Sequence, residues 1–444
     1  MTERSSLDDV STRQAWIAKL AKQMSDRAIS PLSRQLDAAW YAEAYRRTRK
    51  SGAVGIDGRT AEQYAQELES NLALLQRRVK AGQYRAPAVR RVHIPKGKPG
   101  QTRPIGIPTF EDKVLQRAVL MLLEPIYEQD FYDFSYGFRP GRSAHDAVSA
   151  LDRAIARVGG GWVLEVDLKS FFDTLDHQKL RDILNQKVAD GGIIRLVGKW
   201  LRAGVLEGGV VHRPETGTPQ GGVISPLLAN IYLHEVIDKW FMEQVLPRLK
   251  GQAHMVRYAD DFVMVFSNES DARKVMGVLP KRVARFSLTV HPDKTRLVRF
   301  ERPNAEGGGL KPGSLDFLGF TYFWTRTRRG KWHFRRKTAK SRMSRSIRNL
   351  NQWLKSVRHR DVGWQARELG RKLQGHYGYY GISGNTDSLS RFGYEAMRLW
   401  HKWLNRRSQR RSMTWKRYFL LLKRHPLPPP RLRPGERQLR LAKL

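Results

Sequence analysis

The sequence predicts an α+β fold followed by an all-α region, on three observations. Runs of β-branched and aromatic residues flank Tyr258-Ala259-Asp260-Asp261 on both sides, the mark of two short antiparallel strands, and 162–168 reads as a buried strand. Apolar residues recur at steps of three and four near both ends of the chain. Clusters of Gly and Pro between these segments punctuate the chain as turns. With 444 residues, 40% of them apolar or aromatic, the chain can bury several cores.

Residues 1 to about 85 read as helical. Leu32, Leu36, Ala39 and Trp40, then Tyr64, Leu68, Leu72 and Leu75, fall at helical spacing, and the glycine-rich stretch 52–58 is the loop between them. Residues 86–325 form the mixed region. Within it, Ile94-Pro95-Lys96-Gly97-Lys98-Pro99-Gly100-Gln101-Thr102-Arg103 is a cationic hairpin tip, suited to closing on a polyphosphate. The strand 162–168 puts Glu165 and Asp167 on one face with Asp167 at its end, and Asp173 and Asp176 stand where helix caps and first-turn acids belong. Gly217-Thr218-Pro219-Gln220-Gly221-Gly222 is a breaker cluster before a helix starting at Ser225, and it offers an amide where backbone must approach something closely. From about 326 to 425 helices return. Met343, Ile347, Leu350, Leu354 and Val357 define an apolar face opposite Arg342, Arg345, Arg348 and Lys355. Residues 426–444 form a basic, Pro-rich tail.

Two adjacent carboxylates at a hairpin tip between apolar strands are costly unless a cation neutralises them. An ordinary acidic turn is the alternative, and a third carboxylate decides between the two. Asp167 supplies it. Asp167 with Asp260, and Asp261 as a secondary ligand, is the arrangement needed to hold two Mg²⁺ ions about 4 Å apart, one activating a 3′-hydroxyl and one carrying a nucleoside triphosphate. Because Mg²⁺ keeps water and phosphate ligands, two or three protein carboxylates suffice.

Charge points to a polyanionic partner. The formal net charge is +39, and residues 326–444 hold 33 Lys and Arg against 5 Asp and Glu, a net of +28. Such an imbalance repels itself unless phosphates or counterions neutralise it. No run of about 18 apolar residues exists and the polar start carries no signal peptide, so membrane attachment is not expected and a cytoplasmic location is. The absence of cysteine excludes disulfides, thiolate zinc sites and cysteine nucleophiles, and the twelve histidines form no metal-ligand pattern.

Six ordered blocks carry a resemblance. Arg103-Pro-Ile-Gly-Ile-Pro108, Ser135-Tyr-Gly-Phe-Arg-Pro-Gly-Arg-Ser143, Val166-Asp-Leu-Lys-Ser-Phe-Phe-Asp173, Gly217-Thr-Pro-Gln-Gly-Gly-Val-Ile-Ser-Pro226, Tyr258-Ala-Asp-Asp261 and Phe317-Leu-Gly-Phe320 together resemble the reverse transcriptases encoded by bacterial group II introns. The resemblance runs from about residue 30 to 425. It implies a right-hand polymerase with an antiparallel palm sheet: an N-terminal extension and start of the fingers over 1–85, fingers and palm over 86–325, and a helical thumb and maturase region over 326–425. It implies triphosphate contacts for Lys96 and Arg103, a place beside the nascent base pair for Gln220, and a mobile lysine near the triphosphate for Lys294. Phe172 takes the position of the steric gate, whose ring beneath the incoming sugar excludes a 2′-hydroxyl. Phe171 and Phe172 are two rings of which one packs into the core and one does not. Tyr258 and Gly319 are implied to meet primer and template.

The helical C-terminal part is similar to the same family's maturase region through 373–383 and 399–407. Its Tyr377, Tyr380, Trp400 and Trp403 have two readings, a three-helix core or a stacking surface for bases. Arg342, Arg345, Arg406, Arg407, Arg410, Arg411, Lys416 and Arg417 are the candidate RNA contacts. Relatives with a C-terminal endonuclease domain carry a His-Asn-His core and paired cysteines, so this chain is expected to be of the endonuclease-lacking type. The implied function is an RNA-directed DNA polymerase with two Mg²⁺ ions that binds its intron RNA, assists splicing, and supports retrohoming by target-primed DNA synthesis from dNTPs. A splicing cofactor with incidental polymerase activity and a host-domesticated enzyme are the other readings.

Overall fold

The structure is a computed structural model describing residues 2–25, 27–95, 102–207, 209–212, 216–217, 221–303, 312–408 and 413–433. Helices α1 (Thr2–Gln23), α2 (Ala38–Arg47), α3 (Ala61–Ala65) and α4 (Leu68–Lys80) open the chain. The residues expected at helical spacing bury as a set, with Leu32, Leu36, Trp40, Tyr64, Leu72 and Leu75 all in the core. Two of these helices start on side-chain caps, Asp37 accepting from Trp40 N and Thr60 forming a capping box with Gln63.

Strands β1 (Val89–Pro95) and β2 (Thr102–Ile107) form the cationic hairpin, and α5 (Phe110–Tyr127) follows. That helix is apolar nearly all round and is buried accordingly, from Val114 to Leu123. The Trp40 indole donates to Ala118 O at 3.0 Å and pins α2 on it. Next come α6 (Ala144–Arg157), β3 (Trp162–Asp167), α7 (Phe171–Thr174), α8 (His177–Asn185), α9 (Gly191–Leu201), β4 (Val205–Glu207), β5 (Val210–His212) and α10 (Ser225–Leu233). Beyond α10 the helix widens into π-type turns over His234–Asp238 and Trp240–Val245. The hairpin β6 (Ala253–Tyr258) and β7 (Asp261–Phe266), helix α11 (Glu269–Ala284) and β8 (Arg296–Arg299) complete this part. Two four-stranded sheets result, ordered β2-β1-β4-β5 and β6-β7-β3-β8. In the second, Val163, Leu164, Val166, Phe262, Val263, Met264 and Val265 are buried, as expected for strands covered on both faces.

Strands β9 (Leu315–Phe317), β10 (Phe320–Arg326) and β11 (Trp332–Thr338) form an antiparallel sheet, followed by α12 (Lys340–Ser356), α13 (Val362–Tyr380), α14 (Thr386–Asn405) and α15 (Trp415–Arg424). The chain divides into two compact units, Met1–Leu297 and Val298–Leu444, earlier than the division at 325/326 expected from sequence. The reason is that the three-stranded sheet packs with the helices after it. Ala339 N donates to Gly319 O at 2.9 Å, Tyr379 Oη donates to Leu318 O at 2.8 Å, and Phe320 stacks on Tyr379. The Asn385 amide bonds Thr338 N, Thr338 Oγ1 and Tyr380 O, tying β11 to the end of α13. Met343, Leu350 and Leu354 of α12 are buried with Ile347 packed beside them, as their spacing predicts.

Asp112 of α5 is buried among Tyr84, Gln116 and Trp200, accepting from the Trp200 indole at 2.8 Å, from Gln116 Nε2 at 3.0 Å and from the Tyr84 hydroxyl. Burial raises its carboxyl from its ordinary value of 3.8 to about 6, against the pull of those three donors. A carboxyl raised in the folded state contributes stability that is present below the unfolded pKa and lost as pH rises through the folded one. Wild type is therefore expected to lose urea resistance, relative to Asp112→Asn, between 3.8 and about 6. Parallel pH profiles for the two proteins would remove Asp112 as the cause.

Candidate active site

Pairing of β6 with β7 sets Tyr258 opposite Asp261 and leaves Ala259-Asp260 as the turn, with Ala259 at φ +56°. On the other side of β7, β3 pairs in the register that sets Asp167 opposite Asp261. Directly opposed residues share a face, with Cα atoms roughly 4.5–5.5 Å apart. One hairpin tip thus gathers the three expected acids. Burial pushes the Asp260 carboxyl above the usual carboxylate range, and the Asp167 charge pushes the same way, against the attraction of Arg103 and Lys294.

The acids do not close into a finished cage. Among the described residues no three acidic or histidine side chains form a cluster able to hold a metal by themselves. The strand register brings the three expected acids to one tip, with the Asp167 charge acting on Asp260 and Asp261 exposed at the start of β7, but their side chains do not converge into the expected cage. Lys294 neutralises the pair: Nζ donates to both Asp167 oxygens, at 3.0 and 3.1 Å. The segment 287–295 crosses the end of β3 to deliver it. His291 N donates to Asp167 O and Lys169 N donates to Thr289 O, each at 2.8 Å. Glu165, two residues before Asp167 on the same strand, is taken up by Arg296, which donates to its carboxylate through Nε and Nη2. An all-oxygen, acidic donor set with water-accessible Asp261 fits Mg²⁺, a hard cation that completes its shell with water and phosphate.

The tip is held from behind by residues that the sequence reading did not single out. Arg257, directly before Tyr258, and Asp238 of the π-helical stretch are both 0% exposed and form a two-pronged ion pair, with Arg257 Nε at 2.7 Å from Asp238 Oδ1. Burial pulls the Asp238 carboxyl up, but the Arg257 charge and hydrogen bonds, with His234 nearby, leave it below the usual range. Arg257 Nη1 also donates to Asn230 Oδ1 at 3.0 Å and to Ala259 O at 3.2 Å, so the guanidinium grips the turn itself. Asn230 Nδ2 donates to Gly137 O at 2.6 Å, and the segment at 134–136 bonds β6 through Arg257 N to Phe134 O and Tyr136 N to Arg257 O, both 2.8 Å. A Cβ on Gly137 would lie 2.3 Å from Ala259 N, so only glycine allows this approach. A lone Arg in an apolar strand was the available signal, since a buried cation demands a counterion.

Arg103 on β2 is exposed and close enough for its charge to act on Asp260. Gly221 lies against the same strand, where a Cβ on it would meet Gly106 O at 2.4 Å. Phe171 is 2% exposed and Phe172 half-buried, their rings 5.2 Å apart edge to face, which answers which of the two packs inside. Asp176 caps α8 through Gln178 N and Lys179 N, and Asp173 lies in the first turn of α7, so both are structural as expected. Lys96 and Gln220 lie outside the described residues, as do Arg410 and Arg411.

In the second unit, Gly319 has φ +83° in the turn between β9 and β10, and a Cβ there would meet the Tyr380 hydroxyl at 3.1 Å. Packing within the unit therefore accounts for this glycine. Tyr377, Trp400 and Trp403 are buried, with the Trp400 indole donating to Gln365 Oε1 and the Trp403 indole to Asn351 Oδ1, and half-buried Tyr380 packs against the same core. The core reading of these four aromatics holds. Arg342, Arg406, Lys416 and Arg417 are exposed, whereas Arg345 is half-buried and Arg407 donates to Arg360 O at 3.0 Å.

The family model described as reverse transcriptase (RNA-dependent DNA polymerase) matches residues 94–322. The chain is similar to Protein YkfC of Escherichia coli (strain K12), 34% identical over 328 residues that cover 66% of this chain and 82% of that protein. It is 43% identical to the group II intron-encoded protein LtrA of Lactococcus lactis subsp. cremoris over 189 residues, 43% of this chain and 31% of LtrA. It is 28% identical to the putative COX1/OXI3 intron 1 protein of Saccharomyces cerevisiae, over 69% of this chain and 42% of that protein. The matches thus span less than half the length of the latter two relatives.

Breaking the buried pair should be costly. Asp238→Ala leaves an uncompensated guanidinium and is expected to lose about 3–5 kcal/mol in urea denaturation, whereas the paired Asp238→Leu/Arg257→Met exchange loses less. An equal loss in both would show that shape, not charge compensation, holds the tip.

Proposed function

The chain belongs to the reverse transcriptase family, in the branch encoded by group II introns, and from that membership we propose that this RNA-directed DNA polymerase copies RNA by two-metal-ion nucleotidyl transfer at Asp167, Asp260 and Asp261. The observation that supports the mechanism is the strand register that sets both Tyr258 and Asp167 opposite Asp261 with Asp260 in the turn, and Lys294 Nζ lying on both Asp167 oxygens. Asp167 and Asp260 would hold two Mg²⁺ ions with Asp261 as secondary ligand, and when bound these activate the primer 3′-hydroxyl and neutralise the triphosphate. The remaining work falls to the chain. Arg103, with Lys96, orients the triphosphate through charge-assisted hydrogen bonds. Lys294, held on Asp167 until another cation takes over that charge, is then free to meet the triphosphate and give a proton to the leaving pyrophosphate. Gln220 lies beside the nascent base pair, Tyr258 meets the primer, and the half-buried Phe172 ring excludes a 2′-hydroxyl by volume.

The same protein binds its intron RNA, assists splicing, and supports retrohoming by copying from a target DNA primer. The charge of residues 326–444 supports this, and Arg342, Arg345, Arg406, Arg407, Lys416 and Arg417, with Arg410 and Arg411, are its RNA contacts. No helix among the described residues is long and apolar enough to cross a membrane.

Asp260→Ala is expected to abolish primer extension on an RNA template while leaving intron RNA binding, measured by filter retention, nearly intact. Appreciable extension by that variant would sink the metal assignment. For the gate, Phe172→Val is expected to raise ribonucleotide incorporation, and unchanged sugar discrimination would hand that role to another residue.

A further inference from the structure

In the block 135–143, one side chain takes no part in the interactions that hold the acidic tip. Phe138 is 54% exposed and its backbone stands at φ +59°. A bulky side chain in left-handed backbone is a genuine outlier, and it persists only where the surroundings over-determine it.

The surroundings do so here. On one side, Gly137 is pressed against the tip: its carbonyl accepts from Asn230 Nδ2 at 2.6 Å, and Tyr136 N before it donates to Arg257 O at 2.8 Å. On the other side, Arg139 is 6% exposed and locked, its guanidinium donating to both Glu128 oxygens and to the carbonyls of Tyr132 and Ser135. With both neighbours fixed inward, the ring between them is held out in solvent. The second observation is where it stands. Its centroid lies 6.4 Å from that of Tyr258, with the two rings tilted by 42°, so an unsubstituted phenyl flanks the tyrosine that opens the acidic turn. In the strand register, Asp261 is directly opposite that tyrosine.

We propose that Phe138 lies in the minor groove of the primer–template duplex, its ring against the sugars and base edges of the last pairs on the primer strand. This rests on the polymerase reading and on the primer contact of Tyr258. A phenyl has neither donor nor acceptor, so it complements sugar carbons and apolar edges rather than phosphates. An A-form duplex presents a minor groove wide and shallow enough for side chains to reach its sugars. The grip is therefore indifferent to sequence, as copying requires, and it owes nothing to the net positive charge of the chain. Strained backbone is the cost of holding an apolar ring where the duplex covers it.

Phe138→Gly tests this, because it removes the ring and the backbone strain together. A DNA primer annealed to an RNA template is titrated against the full-length chain by fluorescence anisotropy in EDTA, and KM for dNTP is measured with Mg²⁺. The variant is expected to bind the duplex roughly tenfold more weakly, the loss for failing to cover a half-exposed phenyl. Its KM for dNTP should match wild type, and its urea midpoint should be no lower, since glycine adopts left-handed backbone without strain. Phe138→Leu keeps an apolar side chain and should recover most of the affinity. Wild-type affinity in Phe138→Gly overturns the proposal. So does weaker binding accompanied by a lowered urea midpoint, which marks a structural role, or a raised KM for dNTP with normal duplex binding, which puts the ring on the incoming nucleotide. Binding in EDTA needs no chemistry. A wild type that holds the duplex without extending it sinks the polymerase reading alone, and an extending enzyme whose Phe138→Gly variant holds the duplex normally sinks this inference alone.

Discussion

The buried pair of Arg257 and Asp238 is the constraint on which the acidic hairpin tip depends. A guanidinium this deep is stable only where a carboxylate and several acceptors meet it, and its donors are divided among Asp238, Asn230 and the carbonyl of Ala259. The turn bearing Asp260 is thereby fastened to the π-helical stretch beneath the sheet, not only to its own strands. A two-residue turn left to its strands alone would have no such restraint on where its carboxylates sit. Here orientation is set by an interaction that never touches solvent.

A second balance operates at the surface of the tip. Burial raises Asp260 and the neighbouring Asp167 charge adds to it, and the protein supplies positive charge in Lys294 directly on Asp167 with Arg103 further out. The fold thus keeps the acidic site electrically tolerable before any ligand arrives. Lys294 and Asp167 are both about half exposed, so the contact is weak enough to be exchanged. A buried lysine in the same place would be far harder to displace.

Much of this site was legible in the sequence because it rests on local patterns. Runs of β-branched, aliphatic and aromatic residues located β3, β6 and β7, and with them Asp167, Asp260 and Asp261; helical spacing located α2, α4 and α12. What was not legible required knowing which elements pack together. Arg257 stood out only as a charge in an apolar run, and its partner Asp238 lies nineteen residues away on a helix whose rotation toward the sheet no local period encodes. Glu165 was placed on the right face, but its capture by Arg296 depends on β8 joining the sheet edge. Residues 315–325 were placed with the palm through the resemblance and 326 onwards read as helix, whereas 332–338 is a strand and the whole three-stranded sheet joins α13 through Phe320, Tyr379 and Asn385. The aromatics of the C-terminal helices were ambiguous until Tyr377, Trp400 and Trp403 were found buried, the Trp400 indole donating to Gln365 inside the core.

The bare backbone at Gly137, lying against Ala259, ties two stretches of chain more than a hundred residues apart into one mechanical unit. Sequence drift in either is filtered by the other: bulk gained at 137 has nowhere to go except into the acidic turn, and a longer turn would have to find room where 137 already sits. A designer wishing to retune this enzyme would therefore treat the two segments as a single exchangeable cassette, to be grafted together or left alone.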